Sequence, residues 1–320
     1  MSDPVTGAFP ATRAQELRLV VLPQQSMLRL DQFLAEATPL SRRRARTAIG
    51  DGVVRRNGET VRVQGRHLSA GDVIDVAALP ELAGFVPWVP PPLPVLLDDG
   101  WLLAVDKPPG VLSQPAEDRR GPPGAPLEVE HEGLSMDALA LARLAWDEGK
   151  PPFLRLAHRL DRNTSGVLLF ARRAEATAPL ARAWSAGRVE RGYVALVEGA
   201  PSWEELEVEA PIARVAGGAW RFEVSDRGEP AATTVRRRAQ GDGVALVECR
   251  LHTGRTHQAR VHLAHLGHPV VGDRLYGSRD GAPRPLLHAA WLALPHPATG
   301  AMTRIEAPLP ADLGARIPAS

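Results

Sequence analysis

Along most of the chain, apolar residues recur at spacings that alternate between those of a helix and those of a strand. Leu30, Phe33, Leu34 and Ala37 fall at i, i+3, i+4 and i+7, which is one face of an amphipathic helix. Ser41 stands where an N-cap belongs, and Ala45, Ala48 and Ile49 predict the inner face of a second helix, closed by Gly50 and Gly52. Short strands are predicted at Val53 and Val54, around Val61 and Val63, and over 71–74, with a turn at Asn57 and Gly58. Before this, residues 1–16 carry two prolines and no periodicity, and read as a flexible N-terminus. After it, six prolines fall within residues 79–100, the composition of a semi-rigid linker.

From Trp101 onward, strands dominate. They are predicted at 102–105, 167–171, 193–197, near 206–224, at 232–238 and at 244–251, with further short strands in the tail. Ser135 caps a helix that runs to about Trp146. Pro179 stands near the start of another, with Leu180, Ala183 and Trp184 inside and Gly187 as its stop. Residues 257–266 form a third, ended by Gly267. Residues 116–134 read as a surface loop. Many strands with few intervening helices predict an α+β fold with a mostly antiparallel sheet. The expected division is a flexible end at 1–16, a small α+β domain at 17–78, a linker at 79–100 and a larger domain at 101–320.

Composition narrows this modestly. A chain of 320 residues has room for two or three domains and a sizeable core. Its 44% apolar and 23% charged residues are ordinary for a soluble globular protein. The net charge of +1 leaves no global basic field, so any nucleic-acid site must be local. Residues 27–76 are the basic part, with nine arginines against six carboxylates. The only lysines are Lys107 and Lys150. A preference for arginine suits phosphate, but a bias in genomic composition gives the same result, and both readings stand. Cys249 is the sole cysteine. That excludes an internal disulfide framework and a cysteine zinc cluster, and its apolar surroundings suggest an inert buried thiol. The N-terminus has no signal-like apolar core and no apolar run reaches the length of a membrane span, so no membrane role is expected and the cytoplasm is the default.

The candidate chemistry centres on HRLDRNTSGVLLFARR, residues 158–173, where Asp161 stands between Arg159 and Arg162. Guanidinium groups near a carboxylate favour its ionised form, which suits a nucleophile better than a general acid. A structural Arg–Asp pair is the commoner reading of such a charge pattern. A Ser165–His158–Asp161 triad lacks the G-x-S-x-G elbow, and residues this close along one segment do not reach triad geometry. His257, His262, His265 and His268 invite a metal reading, but the helix that carries two of them has no carboxylate and no HExxH pattern. No Walker A or G-x-G-x-x-G segment occurs.

HRLDRNTSG resembles the catalytic motif of the RluA-type pseudouridine synthases. VDKPPGVLSQP is similar to their KP-x-G turn, RGYVALVEG to their K-x-Y strand, and LHTGRTHQARVHLAHLGHPVVGDRLYG to their TGR-x-HQ motif and its tail. LLHAAWLALPHPATG and APLP resemble their C-terminal pattern. The match runs in order over about residues 101–312. Residues 27–76 resemble the alpha-L RNA-binding domain first described in a ribosomal protein. The chain departs from the family pattern at Ala259, usually Ile or Leu, at Arg191, usually Lys, and at Ser113-Gln114-Pro115, usually a more apolar turn containing His.

The resemblance implies an RNA pseudouridine synthase that needs no cofactor and no metal. Such an enzyme breaks a uridine's glycosidic bond, turns the uracil and rejoins it through carbon 5, with the base drawn out of its stack. By position, Asp161 is the implied nucleophile or initiating base. Arg260 is its basic partner, and Tyr193 stacks on the base and assists proton transfer. Arg159 fills the space of the flipped base or holds a phosphate. Arg255, Arg42, Arg43, Arg44 and Arg46 complete the implied RNA contacts. The alpha-L domain favours ribosomal over transfer RNA as the partner, and a monomer is expected. The rival readings are a tRNA synthase, an inactive RNA-binding protein of the same fold, and a metal-dependent hydrolase built on the histidines.

Overall fold

The computed structural model describes residues 16–115, 134–216 and 221–318. Residues 1–15 of the flexible end expected at 1–16, and nearly all of the loop predicted at 116–134, lie outside the described residues. The described chain forms two compact units. One takes in residues up to Pro92 together with Ala138–Pro152, and the other takes in most of the rest.

In the first unit, β1 (Leu17–Val20), β2 (Val54–Arg56), β3 (Glu59–Thr60) and β4 (Val73–Val76) form an antiparallel sheet in the order β1-β4-β2-β3. α1 (Leu30–Ala37) and α2 (Arg42–Gly50) form where the 3.6-residue pattern places them. The Ser41 side chain accepts a hydrogen bond from Arg44 N at 3.2 Å, the predicted N-cap. Leu30, Phe33, Leu34, Ala45, Ala48 and Ile49 are all buried in one core with Val54, Ile74 and Val76. Asn57 and Gly58 turn through positive φ (54° and 83°) between β2 and β3, which asparagine and glycine tolerate. The body of α3 (Met136–Glu148) belongs to this unit although it follows the linker in sequence. Arg18 Nη1 donates to Trp146 O (3.1 Å), and Arg143 Nη1 to Pro90 O (3.1 Å).

The second unit is built on a ten-stranded sheet. Its strands are β5 (Val95–Asp98), β6 (Leu102–Lys107), β7 (Arg155–Leu156), β8 (Ser165–Ala171), β9 (Glu190–Glu198), β10 (Glu205–Glu209), β13 (Ala232–Gln240), β14 (Val244–Leu251), β15 (Leu287–Pro295) and β16 (Met302–Glu306). The main order is β10-β13-β14-β9-β15-β8-β6-β5, with β16 on β15 and β7 on β8. All pairs are antiparallel except β15 with β8, so the α+β, mostly antiparallel fold is observed. β11 (Ile212–Arg214) and β12 (Phe222–Val224) form a separate hairpin. α4 (Ala174–Ser185), α5 (Gln258–His265) and the short α6 (Ala311–Gly314) complete the unit.

Three local expectations are corrected. The proline-rich stretch ends in a strand, β5, at the sheet edge, which begins directly after Pro94 and itself contains no proline. α4 begins at Ala174, so Pro179 lies within the helix, and a proline there removes a hydrogen bond to the carbonyl of Glu175. β1, only four residues long, has no counterpart in the sequence expectations.

Position 166 must be glycine. Its φ is +114°, and a Cβ there would lie 2.2 Å from Ala289 O. The one parallel pairing among the described residues, His288 with Ser165 and Ala289 with Gly166, therefore depends on a missing side chain. That pairing fixes where the loop carrying Asp161 enters the sheet. No described helix is long and apolar enough to cross a membrane.

Candidate active site

The loop of residues 158–164 leads into β8, which is buried along its whole length. Each backbone carbonyl from 160 to 163 is held. Leu160 O accepts from Ser113 Oγ (2.9 Å), and that serine hydroxyl in turn accepts from Leu160 N (2.9 Å). Asp161 O accepts from Thr164 N, and Arg162 O accepts from Gly110 N. The fully buried Lys107 donates to Arg162 O (3.0 Å) as well as to Pro108 O and Val111 O. Asn163 O accepts from Arg284 Nη1 (3.3 Å), whose guanidinium is clamped through its other nitrogens by Asp312 of α6 (2.7 and 2.8 Å). Buried polar groups left unpaired are costly, so this pattern fixes the loop backbone firmly. It also gives Ser113 a purpose: the departure from the family turn supplies a two-way hydrogen bond to Leu160.

The Asp161 side chain is 29% exposed. Its Oδ2 accepts from Arg260 Nη1 at 3.1 Å and lies 3.8 Å from His257 Nε2. Oδ1 has no partner among the described residues. Arg260 projects from α5 and is itself fixed by the buried Asp273, to which Nε and Nη2 donate at 2.7 and 2.9 Å. This is a bidentate fork. The guanidinium also lies 5.0 Å from the Tyr276 ring centroid. Burial works against the Arg260 charge, but Asp273 and Asp161 outweigh it and raise its pKa.

His257 occupies the left-handed region (φ 59°) just before α5, a conformation rare outside glycine and often found where function constrains the chain. Its Nδ1 lies 2.8 Å from Tyr276 Oη, which accepts from Phe222 N. Burial lowers the His257 pKa against the opposing pull of Asp161. Tyr193, on β9, is half-buried. Burial pushes its hydroxyl up to about 12, Arg191 opposes that, and the Asp161 charge adds to it. The Tyr193 hydroxyl therefore senses both ends of the site. Lys107 is lowered to about 8, first by burial and also by Arg284, with Asp161 and Asp106 opposing.

The structure thus pairs Asp161 with Arg260, and Tyr193 lies near enough for the Asp161 charge to act on its hydroxyl. It places the other predicted contacts less uniformly. Arg159 is exposed on the loop. Arg162 bonds to Gly110 O rather than to Asp161, so among the described residues neither flanking arginine pairs with the acid. Arg255 is engaged with Glu229 and with Pro230 O. In the first unit, Arg42 and Arg46 reach the buried carboxylate of Asp31 (3.1 and 2.8 Å), as does Arg29 (3.3 Å), and Arg44 pairs with Glu81 (2.6 Å). Arg43 has no side-chain partner among the described residues.

Other candidate chemistry resolves into structure. Ser165 Oγ bonds to His288 Nδ1 (3.0 Å), and His158 Nε2 accepts from Leu169 N (3.2 Å). Ser165, His158 and Asp161 therefore form no triad. His158 stacks on Trp184 at 5.7 Å, and burial, with Arg191 nearby, lowers it to about 4. His262 is fully buried between Thr233 and Ala210 O, and His268 faces Glu198 O. Sequence reasoning gave no role to Lys107, His257, Asp273, Tyr276 or Arg284. Asp273 and Tyr276 were visible within the GDRLYG tail, but only as a motif.

The sequence profile of RNA pseudouridylate synthases matches residues 101–265, which carry every one of these loop and strand positions up to α5. The chain belongs to the RNA pseudouridylate synthase family. This synthase, an isomerase acting on RNA, also carries an S4 domain at residues 28–74. It is similar to a protein of Chloroflexus aurantiacus described as an uncharacterized RNA pseudouridine synthase, at 39% identity over 324 residues, covering 96% of this chain and 94% of that one. It is 36% identical over 306 residues to the ribosomal large subunit pseudouridine synthase D of Xylella fastidiosa, covering 89% and 86%. Among solved structures it resembles human RNA pseudouridylate synthase domain containing 1, with a TM-score of 0.55, 27% identity and coverage of 72% and 90%.

Proposed function

We propose that this synthase isomerises uridine in large-subunit ribosomal RNA, working as a monomer in the cytoplasm. Support for that substrate comes from relatives such as the Xylella protein, whose name specifies the large ribosomal subunit, and from the S4 domain. Within the site, Asp161 is the group that reacts, either by attacking carbon 1′ or by acting first as a base. The observation that carries this is the free Oδ1 on a loop whose carbonyls are otherwise all held.

In this reading Arg260 orients Asp161 and balances its charge while Asp273 stops Arg260 from collapsing onto the acid. Tyr193 faces the pyrimidine and handles the carbon 5 proton. Arg159 fills the vacated stack or holds a phosphate, and Arg255 adds an RNA contact where Glu229 releases it. Residues 101–320 perform the chemistry, and residues 17–78, across the 79–100 linker, hold RNA through Arg42, Arg43, Arg44 and Arg46. The N–C glycosidic bond breaks first, the uracil turns, carbon 5 then bonds to carbon 1′, and the carbon 5 proton is lost while the freed ring nitrogen gains one. Purified protein incubated with a large-subunit rRNA transcript carrying tritium at carbon 5 should therefore release tritium at defined uridines. Release from a tRNA pool but not from this transcript would replace the rRNA assignment with a tRNA one.

A further inference from the structure

Arg191 is a half-buried cation whose needs the protein leaves unmet. Its Nη2 donates to Thr253 O at 2.8 Å. Its Nε is buried without a partner, and Nη1 has none among the described residues. No described carboxylate pairs with it, whereas the buried Arg260 and Arg284 are each clamped by one, Asp273 and Asp312. A buried charge without a counter-charge is costly, and burial lowers the Arg191 pKa.

A second observation points the same way. Gly254, beside Thr253, has no positive φ that would call for glycine. A Cβ at this position would instead lie 2.6 Å from Arg191 Nη1. The missing side chain keeps one edge of the guanidinium open. Arg191 and Tyr193 alternate on β9 and so share a face of the sheet, about 6–7 Å apart along the strand. One nucleotide can span that distance.

We propose that Arg191, at the notch left by Gly254, is a receptor for an RNA phosphodiester adjacent to the uridine held at Asp161. This deepens the proposed function and rests on Asp161 being the reacting acid. The guanidinium offers Nη1 to the phosphate, and Thr253 O fixes its orientation. The incoming phosphate supplies the counter-charge that the protein withholds, so RNA binding and relief of the buried charge occur together.

The test compares wild type with Arg191→Gln, Arg191→Lys, Gly254→Ala and a control, Arg304→Gln, on a large-subunit rRNA transcript. Dissociation constants are measured against salt, alongside single-turnover rates and melting temperatures. Arg191→Gln should flatten the salt slope by about 0.7–0.9, one phosphate contact. Arg191→Lys should keep the slope, and Arg304→Gln should leave it close to wild type. Gly254→Ala should weaken binding although it removes no charge. Loss of a half-buried charge without a carboxylate partner should not unfold Arg191→Gln, and its melting temperature checks this. A folded Arg191→Gln with an unchanged slope overturns the proposal. If its rate–pH profile has then moved, Arg191 acts on the Tyr193 proton instead. Failure of wild type to modify the transcript would count against the substrate assignment alone, because the slope comparison reads the phosphate contact independently.

Discussion

Each unit contains an aspartate set among arginines, and the two are held in opposite ways. Asp31 is 0% exposed, and both of its oxygens are taken, Oδ1 by Arg29 and Oδ2 by Arg42 and Arg46. Burial alone would raise its pKa, but the three guanidinium groups overcome this and bring it to about 2. Asp161 is 29% exposed, touches one arginine through one oxygen, and that arginine is held back by Asp273. The number of nearby cations therefore does not distinguish a working carboxylate from a structural one. A free oxygen and a path to solvent do. Asp31 joins α1 to α2, and Asp161 faces outward from a rigid loop.

The largest expected contrast comes from making the same change at both sites. Asp161→Asn should abolish tritium release from carbon 5 while leaving melting and RNA affinity near wild type. Asp31→Asn should do the reverse, lowering the melting temperature while the single-turnover rate at saturating RNA persists. If Asp31→Asn also stopped the chemistry, the two acids would not be separable in this way.

Arg260→Met should combine both effects. It leaves Asp273 buried and unpaired, a change that costs ~3–5 kcal/mol of stability when a buried pair is broken, and it removes the partner of Asp161. Denaturant unfolding and single-turnover kinetics on the same preparation would show both losses. A stable, active variant would remove Arg260 from the site. Tyr193→Phe is a smaller change. RNA affinity should hold and product formation should fail, and equal product yields in single turnover would show that the hydroxyl has no chemical part.

The pH dependence sharpens the comparison further. Asp31 is depressed in the folded state from the ordinary carboxylate value of 3.8 to about 2. Its stabilisation is therefore complete above about pH 4 and lost as pH falls through 2. The stability difference between wild type and Asp31→Asn should shrink over that acid range, as read by chemical denaturation at several pH values. A difference that stays constant from pH 5 to pH 2 would contradict the depressed pKa.

The smallest effect concerns the arginines of α2. Because Arg42 and Arg44 are already paired with Asp31 and Glu81, Arg43→Ala should flatten the salt slope of RNA binding by about 0.7–0.9. Adding Arg42→Ala and Arg44→Ala should take the total to roughly two only if RNA displaces their carboxylates. A salt titration of the single and triple variants separates these cases.

Much of this was legible in the chain. α1 and α2 follow from apolar spacing and the Ser41 cap, and the Asp161 loop follows from its motif. Its partner Arg260 was legible only through the family resemblance, because charge pattern along a segment says little about contacts across the fold. Arg159 and Arg162 flank the acid in sequence but do not touch it, whereas Arg260 does so from 99 residues away. Asp273, Lys107 and Arg284 act on the loop through buried side chains whose role exists only once the sheet has formed. β5 was hidden because the prolines that end at Pro94, directly before it, mark a linker, and the start of α4 was misplaced because a proline inside a helix imitates a helix start.

The central claim is that Asp161 converts uridine to pseudouridine in large-subunit rRNA. Pseudouridine mapping of that RNA from cells lacking the protein, complemented with wild type or with Asp161→Asn at equal abundance, tests it most directly. The account predicts that one or more pseudouridines vanish, return with wild type and stay absent with Asp161→Asn. Restoration by Asp161→Asn would contradict it.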